Sequence, residues 1–157
     1  MKIAHAATEF LNQSRIAVTG VSSKPEGHGS NAVYTRLRER GYTVFAVNPH
    51  ATQVEGDTTY PDLASIPGGV DAVVIATSAE HAPATMQQAA DLGIRYVWMH
   101  RSFGAGSVSP EATRIGRDAG ILVIDGGCPL MFGKASDGGH RMMCRMMKLT
   151  GKVPREV

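Results

Sequence analysis

Five short apolar runs punctuate the chain: RIAVTGV (15–21), TVFAVNP (43–49), DAVVIATS (71–78), YVWMH (96–100) and ILVID (121–125). They show little of the in-out alternation of a strand with one wet face, so each reads as a strand buried on both sides. The intervening segments have helical spacing. SNAVYTRLRERG carries Val33 and Leu37 four apart and stops at Gly41; AEHAPATMQQAADLG follows Thr77 and Ser78, has Pro83 in its first turns and stops at Gly93. SPEATRIGRDAG repeats the plan, with Ser109 as cap, Pro110 at the first helical position and Gly120 as stop.

This alternation predicts an α/β, Rossmann-like three-layer fold: a five-stranded parallel sheet of order 3-2-1-4-5 with helices on both faces. A short helix over 5–13 is expected to dock on one face. SDGGHRMMCRMMKLTGK is expected to be helical, its methionines covering the sheet or a dimer partner. No internal repeat or linker divides the chain, so residues 1–157 are read as a single domain with a C-terminal helical extension over about 131–157.

Composition narrows the function classes. A length of 157 residues supports a core without disulfides, and 43% hydrophobic with 19% charged residues fits a globular protein. The formal charge of +2 is too small to suggest nucleic acid, and no run approaches the roughly twenty apolar residues of a membrane span. The expectation is a cytoplasmic protein with no nucleic-acid or membrane partner, and two cysteines, Cys128 and Cys144, fit a reducing compartment.

The chemistry concentrates after the first strand. Gly20 ends that strand, and Gly27 and Gly29 precede a helix expected near Ser30, so backbone N–H groups and a helix N-terminus converge where phosphate binds well. Ser22, Ser23, Ser30 and Asn31 offer side-chain donors, and Lys24 and His28 offer positive charge. A bulky side chain at Gly20 is expected to collide with a bound pyrophosphate while the fold survives. The loop lacks G-x-G-x-x-G, and the second strand ends in VNPHA where an NAD site usually places a carboxylate for the ribose. Asn48 suits a ribose, Pro49 an adenine ring and His50 a phosphate; NAD is the weaker alternative.

GVSSKP (20–25), GYTVFAVNP (41–49), TTYPDLASIPGGVD (58–71), GIRYVW (93–98), Gly104 and VIDGGCP (123–129) together resemble the CoA-binding domain family. These are single-domain relatives of the N-terminal domain of the succinyl-CoA synthetase alpha subunit. The resemblance covers about residues 14–130 and implies CoA or a small acyl-CoA in the cleft, with the first loop on the pyrophosphate and the VNP edge facing the adenosine. It points to Gly20, Ser22, Ser23, Lys24, Asn48, Pro49, Thr77 and Ser78; Ser30, Asn31 and His50 are added from their chemistry. The sequence departs from the family where Asp125 is followed by Gly126, Gly127 and Cys128 instead of Asp-Arg-Cys, and where FGAGSVSPE (103–111) lengthens a loop. The synthetase's phosphohistidine lies in a second domain for which the chain has no room.

The resemblance and the residues thus lead to a carrier, sensor or presenting module for CoA, with a homodimer or protein partner among the expectations and no ligase activity of its own. No Ser-His-Asp set or paired carboxylates form a catalytic frame. The alternatives are an NAD(H)-binding regulatory module and an enzyme using Cys128 on a CoA thioester. Cys128, His140, Cys144 and His100 are weighed as metal ligands and read instead as ordinary thiols and histidines, since no C-x-x-C pair is present. His81 is equally a ligand contact or a cap or solvent-facing residue, and Arg101 is a candidate phosphate guide, though a surface salt bridge is the commoner fate of an arginine.

Overall fold

The computed structural model describes residues 1–24, 26 and 28–157. Helix α1 (Ile3–Leu11) precedes strand β1 (Arg15–Thr19), followed by α2 (Gly29–Glu39) and β2 (Thr43–Val47). A hairpin of β3 (Gln53–Val54) and β4 (Asp57–Tyr60) comes next, and then β5 (Ala72–Ile75), α3 (Ala82–Asp91), β6 (Tyr96–Met99), α4 (Pro110–Asp118), β7 (Leu122–Asp125) and α5 (Gly138–Leu149). Among the described residues the sheet has seven strands in the order β3-β4-β2-β1-β5-β6-β7.

The α/β, Rossmann-like architecture is the expected one, but the count of five strands is not. The five apolar runs are β1, β2, β5, β6 and β7, and the hairpin adds two more. β4 pairs parallel to β2 through Ala46–Thr59 and Val47–Tyr60, and β3 closes the edge antiparallel to β4. The order 3-2-1-4-5 therefore holds by position with β4 in third place, whereas the run expected third, now β5, lies on the other side of β1.

Strand side chains divide between two cores. Ile16, Val18, Ala72, Val74, Trp98 and Ile124 face α1, α2 and α5. Ala17, Val73, Ile75, Val97, Met99 and Val123 face α3, α4 and the 61–70 segment. Trp98 anchors the first core, edge-on to Phe10 of α1 at 5.4 Å and tilted on Phe132 at 5.5 Å, with its indole N–H donated to the Gly126 carbonyl at 2.9 Å. The methionines of α5 split: Met147 is buried with Cys144, while Met142 and Met146 are exposed.

In the second core α4 lies close to the sheet at Gly116, where a side chain would begin 2.5 Å from Val123 Cγ2 and 2.7 Å from Met86 Sδ. Overpacking of this kind costs about 1–3 kcal/mol, against roughly 1 kcal/mol gained in helix propensity. Gly116→Ala is therefore expected to be neutral to mildly destabilising, by up to about 2 kcal/mol in urea unfolding. A clear gain in stability would mean that α4 has room to move off the sheet.

Candidate functional site

In the β1–α2 loop the carbonyl oxygens of Gly20, Val21 and Ser22 each accept a hydrogen bond from a side chain. Ser30 Oγ donates to the Gly20 carbonyl at 2.8 Å, and Asn48 Nδ2 donates to the Val21 carbonyl at 2.9 Å. Asn31 grips Ser22 twice, Oδ1 accepting its N–H and Nδ2 donating to its carbonyl, each at 2.8 Å. Three consecutive carbonyls are thus satisfied by two side chains of α2 and by Asn48, the residue after β2. Among the described residues the leading N–H groups of α2 have no partner outside the helix, and its N-cap, His28, supplies no side-chain cap. An anion at this edge meets amides and a positive helix end, with the Gly20, Val21 and Ser22 carbonyl dipoles already occupied.

The loop borders a cleft of about 580 Å³ at the carboxyl ends of β2, β1 and β5. That volume lies in the usual range of small-molecule sites. Of the residues selected from the sequence, Gly20, Ser22, Asn48, Pro49, His50 and Thr77 meet around it. Ser23, Lys24 and Ser78 are exposed and are not among the residues that line it, Ser78 Oγ donating to Glu80 at 3.3 Å. Ser30 and Asn31 are buried, and their side chains are occupied by the loop. They shape the site instead of presenting side-chain donors to it. Pro25 and Gly27, both part of the sequence reading of this loop, lie outside the described residues.

Gly20 forms the floor at φ 75°, where a side chain would begin 2.8 Å from the Ala76 carbonyl oxygen and 3.1 Å from Thr77 N. The expectation that a bulky residue there spares the fold is corrected: it strikes the end of β5 before it reaches any ligand. The far wall was missed in the sequence. It comes from Pro61, Asp62 and Leu63 and from Ala84, Thr85 and Gln88 of α3, joined where Leu63 N donates to Gln88 Oε1 at 2.9 Å. His28 and His81 also line the cleft. The only signal for this wall was the TTYPDLASIPGGVD stretch, whose helical partner no spacing rule identifies.

Thr77 Oγ1 is buried at the cleft and has no hydrogen-bond partner among the described residues. Its carbonyl is taken by the Ser107 hydroxyl, which ties the 100–109 loop to this wall. A buried hydroxyl without a partner is costly, and a ligand donor or acceptor here would satisfy it.

Other candidates resolve differently. Cys128 is 3% exposed and burial pushes its thiol up to about 12, so it is not poised as a nucleophile. Cys144 is raised by burial too. His140 Nδ1 lies 2.9 Å from both carboxylate oxygens of Asp137, and no group of three or more potential metal ligands assembles among the described residues. Arg101 Nε donates to the Gly104 carbonyl at 3.3 Å, within its own loop. His100 follows β6 and is not among the residues lining the cleft, its Cε1 3.5 Å from where a side chain at Gly29 would begin. Burial brings its imidazole down to about 4, so the ring is neutral.

The family model of the CoA binding domain matches residues 14–134. The chain belongs to the CoA-binding domain family. The domain is similar to the uncharacterized protein YneT of Bacillus subtilis, 28% identical over 117 residues that make up 74% of this chain and 83% of that one. It is also similar to acetate–CoA ligase (ADP-forming) I of Archaeoglobus fulgidus, 34% identical over 73 residues, 46% of this chain but only 10% of the ligase. Among solved structures, a hypothetical protein from Pyrococcus horikoshii OT3 superposes with a TM-score of 0.74 at 28% identity, covering 81% of this chain and 87% of that one. No helix among the described residues is long and apolar enough to cross a membrane.

Proposed function

We propose that the domain binds CoA or a small acyl-CoA at the carboxyl edge of its sheet and carries, senses or presents the thioester, without ligase chemistry of its own. Residues 1–157 act in this reading as one binding unit whose acceptor is a protein partner or a second copy. The carrying observation is the run of Gly20, Val21 and Ser22 carbonyls taken by Ser30, Asn48 and Asn31, beside a start of α2 that its N-cap side chain does not cap. Such a loop suits a pyrophosphate.

Gly20, Ser22, Ser23 and Lys24, with the backbone amides of Ser30 and Asn31, would hold the pyrophosphate. Asn48, Pro49 and His50 would face the adenosine, and Thr77 with Ser78 the third side, where the unpartnered Thr77 hydroxyl gains a bond. CoA supplies a thiol that carries acyl groups as thioesters. The chain's own part is to bind and orient that ligand; Cys128, buried and protonated, contributes no nucleophile.

NAD fits less well. Its ribose hydroxyls call for a carboxylate at the end of β2, and the residue there is Asn48, whose Nδ2 and Oδ1 are engaged by the Val21 carbonyl and the His50 N–H. Titration calorimetry is expected to give CoA an affinity at least about tenfold above that of NAD, roughly 1.4 kcal/mol. Equal affinities, or binding of NAD alone, would reject the assignment.

A further inference from the structure

The residue at the tip of the β3–β4 hairpin is out of character. Glu55 and Gly56 are the central pair of a two-residue turn, and both have positive φ, 50° and 81°. Turns of this kind favour Asn, Asp or Gly at the first position, because a longer side chain gains no local hydrogen bond to offset the left-handed backbone. Glu55 is the one non-glycine residue with positive φ among the described residues. A conformation held against preference asks for a compensating contact elsewhere.

That contact runs to the ligand loop. Glu55 Oε1 accepts a hydrogen bond from Asn31 Nδ2 at 2.8 Å, and the same amide closes the double bond with the Ser22 backbone. Asn31 is 4% exposed, so its amide plane is fixed by these bonds with little competition from water. The Glu55 carboxylate holds the Nδ2 side toward the Ser22 carbonyl, which leaves Oδ1 for the Ser22 N–H. The hairpin is itself fastened to α2. Arg38 Nη1 donates to the Glu55 carbonyl at 2.9 Å and to Asp57 Oδ2 at 2.6 Å, and the Tyr34 hydroxyl donates to Asp57 Oδ2 at 2.6 Å.

We infer that Glu55 is a positioning residue for the anion-binding loop: through Asn31 it sets the orientation of the Ser22 peptide and hence ligand affinity, without touching the ligand. The inference rests on the CoA site proposed above. It accounts for a strained glutamate at a turn where a smaller residue would fold more easily, and it gives the edge hairpin a part in binding from outside the cleft.

Glu55→Asn separates strain from positioning. Asparagine tolerates the left-handed backbone, yet its side chain is one methylene shorter and leaves the Asn31 amide out of reach. The expected result is a melting temperature equal to or above wild type, with CoA binding about fivefold to tenfold weaker, the loss of one well-placed hydrogen bond. Exchange of the Ser22 amide proton, followed by NMR without ligand, should accelerate at least about tenfold as that amide's clamp loosens. Glu55→Gln keeps an acceptor without the charge and should restore CoA affinity to within about twofold.

Wild-type affinity and slow Ser22 exchange in Glu55→Asn would overturn the inference. So would a Glu55→Gln variant as weak as Glu55→Asn. A wild-type chain that fails to bind CoA would overturn the CoA reading, and Ser22 exchange would then decide Glu55 alone: acceleration in Glu55→Asn upholds the relay, and its absence overturns it.

Discussion

Gly20→Val is expected to abolish measurable CoA binding and to lower the melting temperature by roughly 10 °C, the thermal equivalent of about 3 kcal/mol for a domain of this size. Two costs combine. At φ 75° a β-branched residue is a steric outlier, worth about 1–3 kcal/mol of backbone strain. The new side chain also begins 2.8 Å from the Ala76 carbonyl oxygen and 3.1 Å from Thr77 N, both main-chain atoms that cannot rotate aside. Relief requires β1 and β5 to separate at their carboxyl ends, where the Ala76 N–H donates to Thr19 Oγ1 at 3.1 Å. The cleft floor and the Thr77 wall then move together. Thermal melting with calorimetric titration checks both effects, and a variant that melts with wild type would show that the strand ends are looser than this packing implies.

His100 is expected to make the protein less stable as the pH falls from 6.5 to 4. Burial lowers the imidazole from its ordinary 6.5 to about 4. Below 6.5 the unfolded chain binds a proton that the folded chain refuses, so unfolding is favoured increasingly until the folded ring also protonates near 4. The stabilisation is fully present above 6.5 and is lost over that window, a total of about 2–3 kcal/mol. Urea unfolding of wild type and His100→Gln across pH 4–7.5 isolates this contribution, because the carboxylates that titrate near the lower end are common to both. Parallel pH profiles would mean that His100 is solvated in the folded state.

The strands that carry the fold were legible because they are buried on both faces and leave uninterrupted apolar runs; 72–75 is fully buried and reads AVVI. The hairpin was not. Gln53–Val54 and Asp57–Tyr60 are short, at the sheet edge and mostly polar, so they give no periodicity to detect. Missing them displaced 72–75 from fourth to third place in the expected order.

At the site, the sequence marked where glycine and small polar residues cluster but not which way they face. Ser30 and Asn31 look like ligand donors on paper, and only the fold turns their side chains back onto the Gly20 and Ser22 carbonyls. Asn48 combines both aspects, lining the cleft while its amide pins Val21. Glu55 was silent in the sequence because its partner is 24 residues away. The far wall from α3 was silent for the same reason, since Gln88 and Leu63 meet only after the chain crosses the sheet.

CoA is expected to occupy the cleft bordered by the β1–α2 loop. Backbone amide shifts in a ¹⁵N-labelled sample titrated with CoA test it residue by residue. The largest changes are expected at Gly20–Lys24, in the first turn of α2, at Asn48 and His50, and at Thr77, with saturation at a single affinity. Changes confined to the crevice lined by Lys2, Lys148, Arg155 and Glu156, with the Gly20–Lys24 amides unmoved, would contradict CoA binding in the cleft.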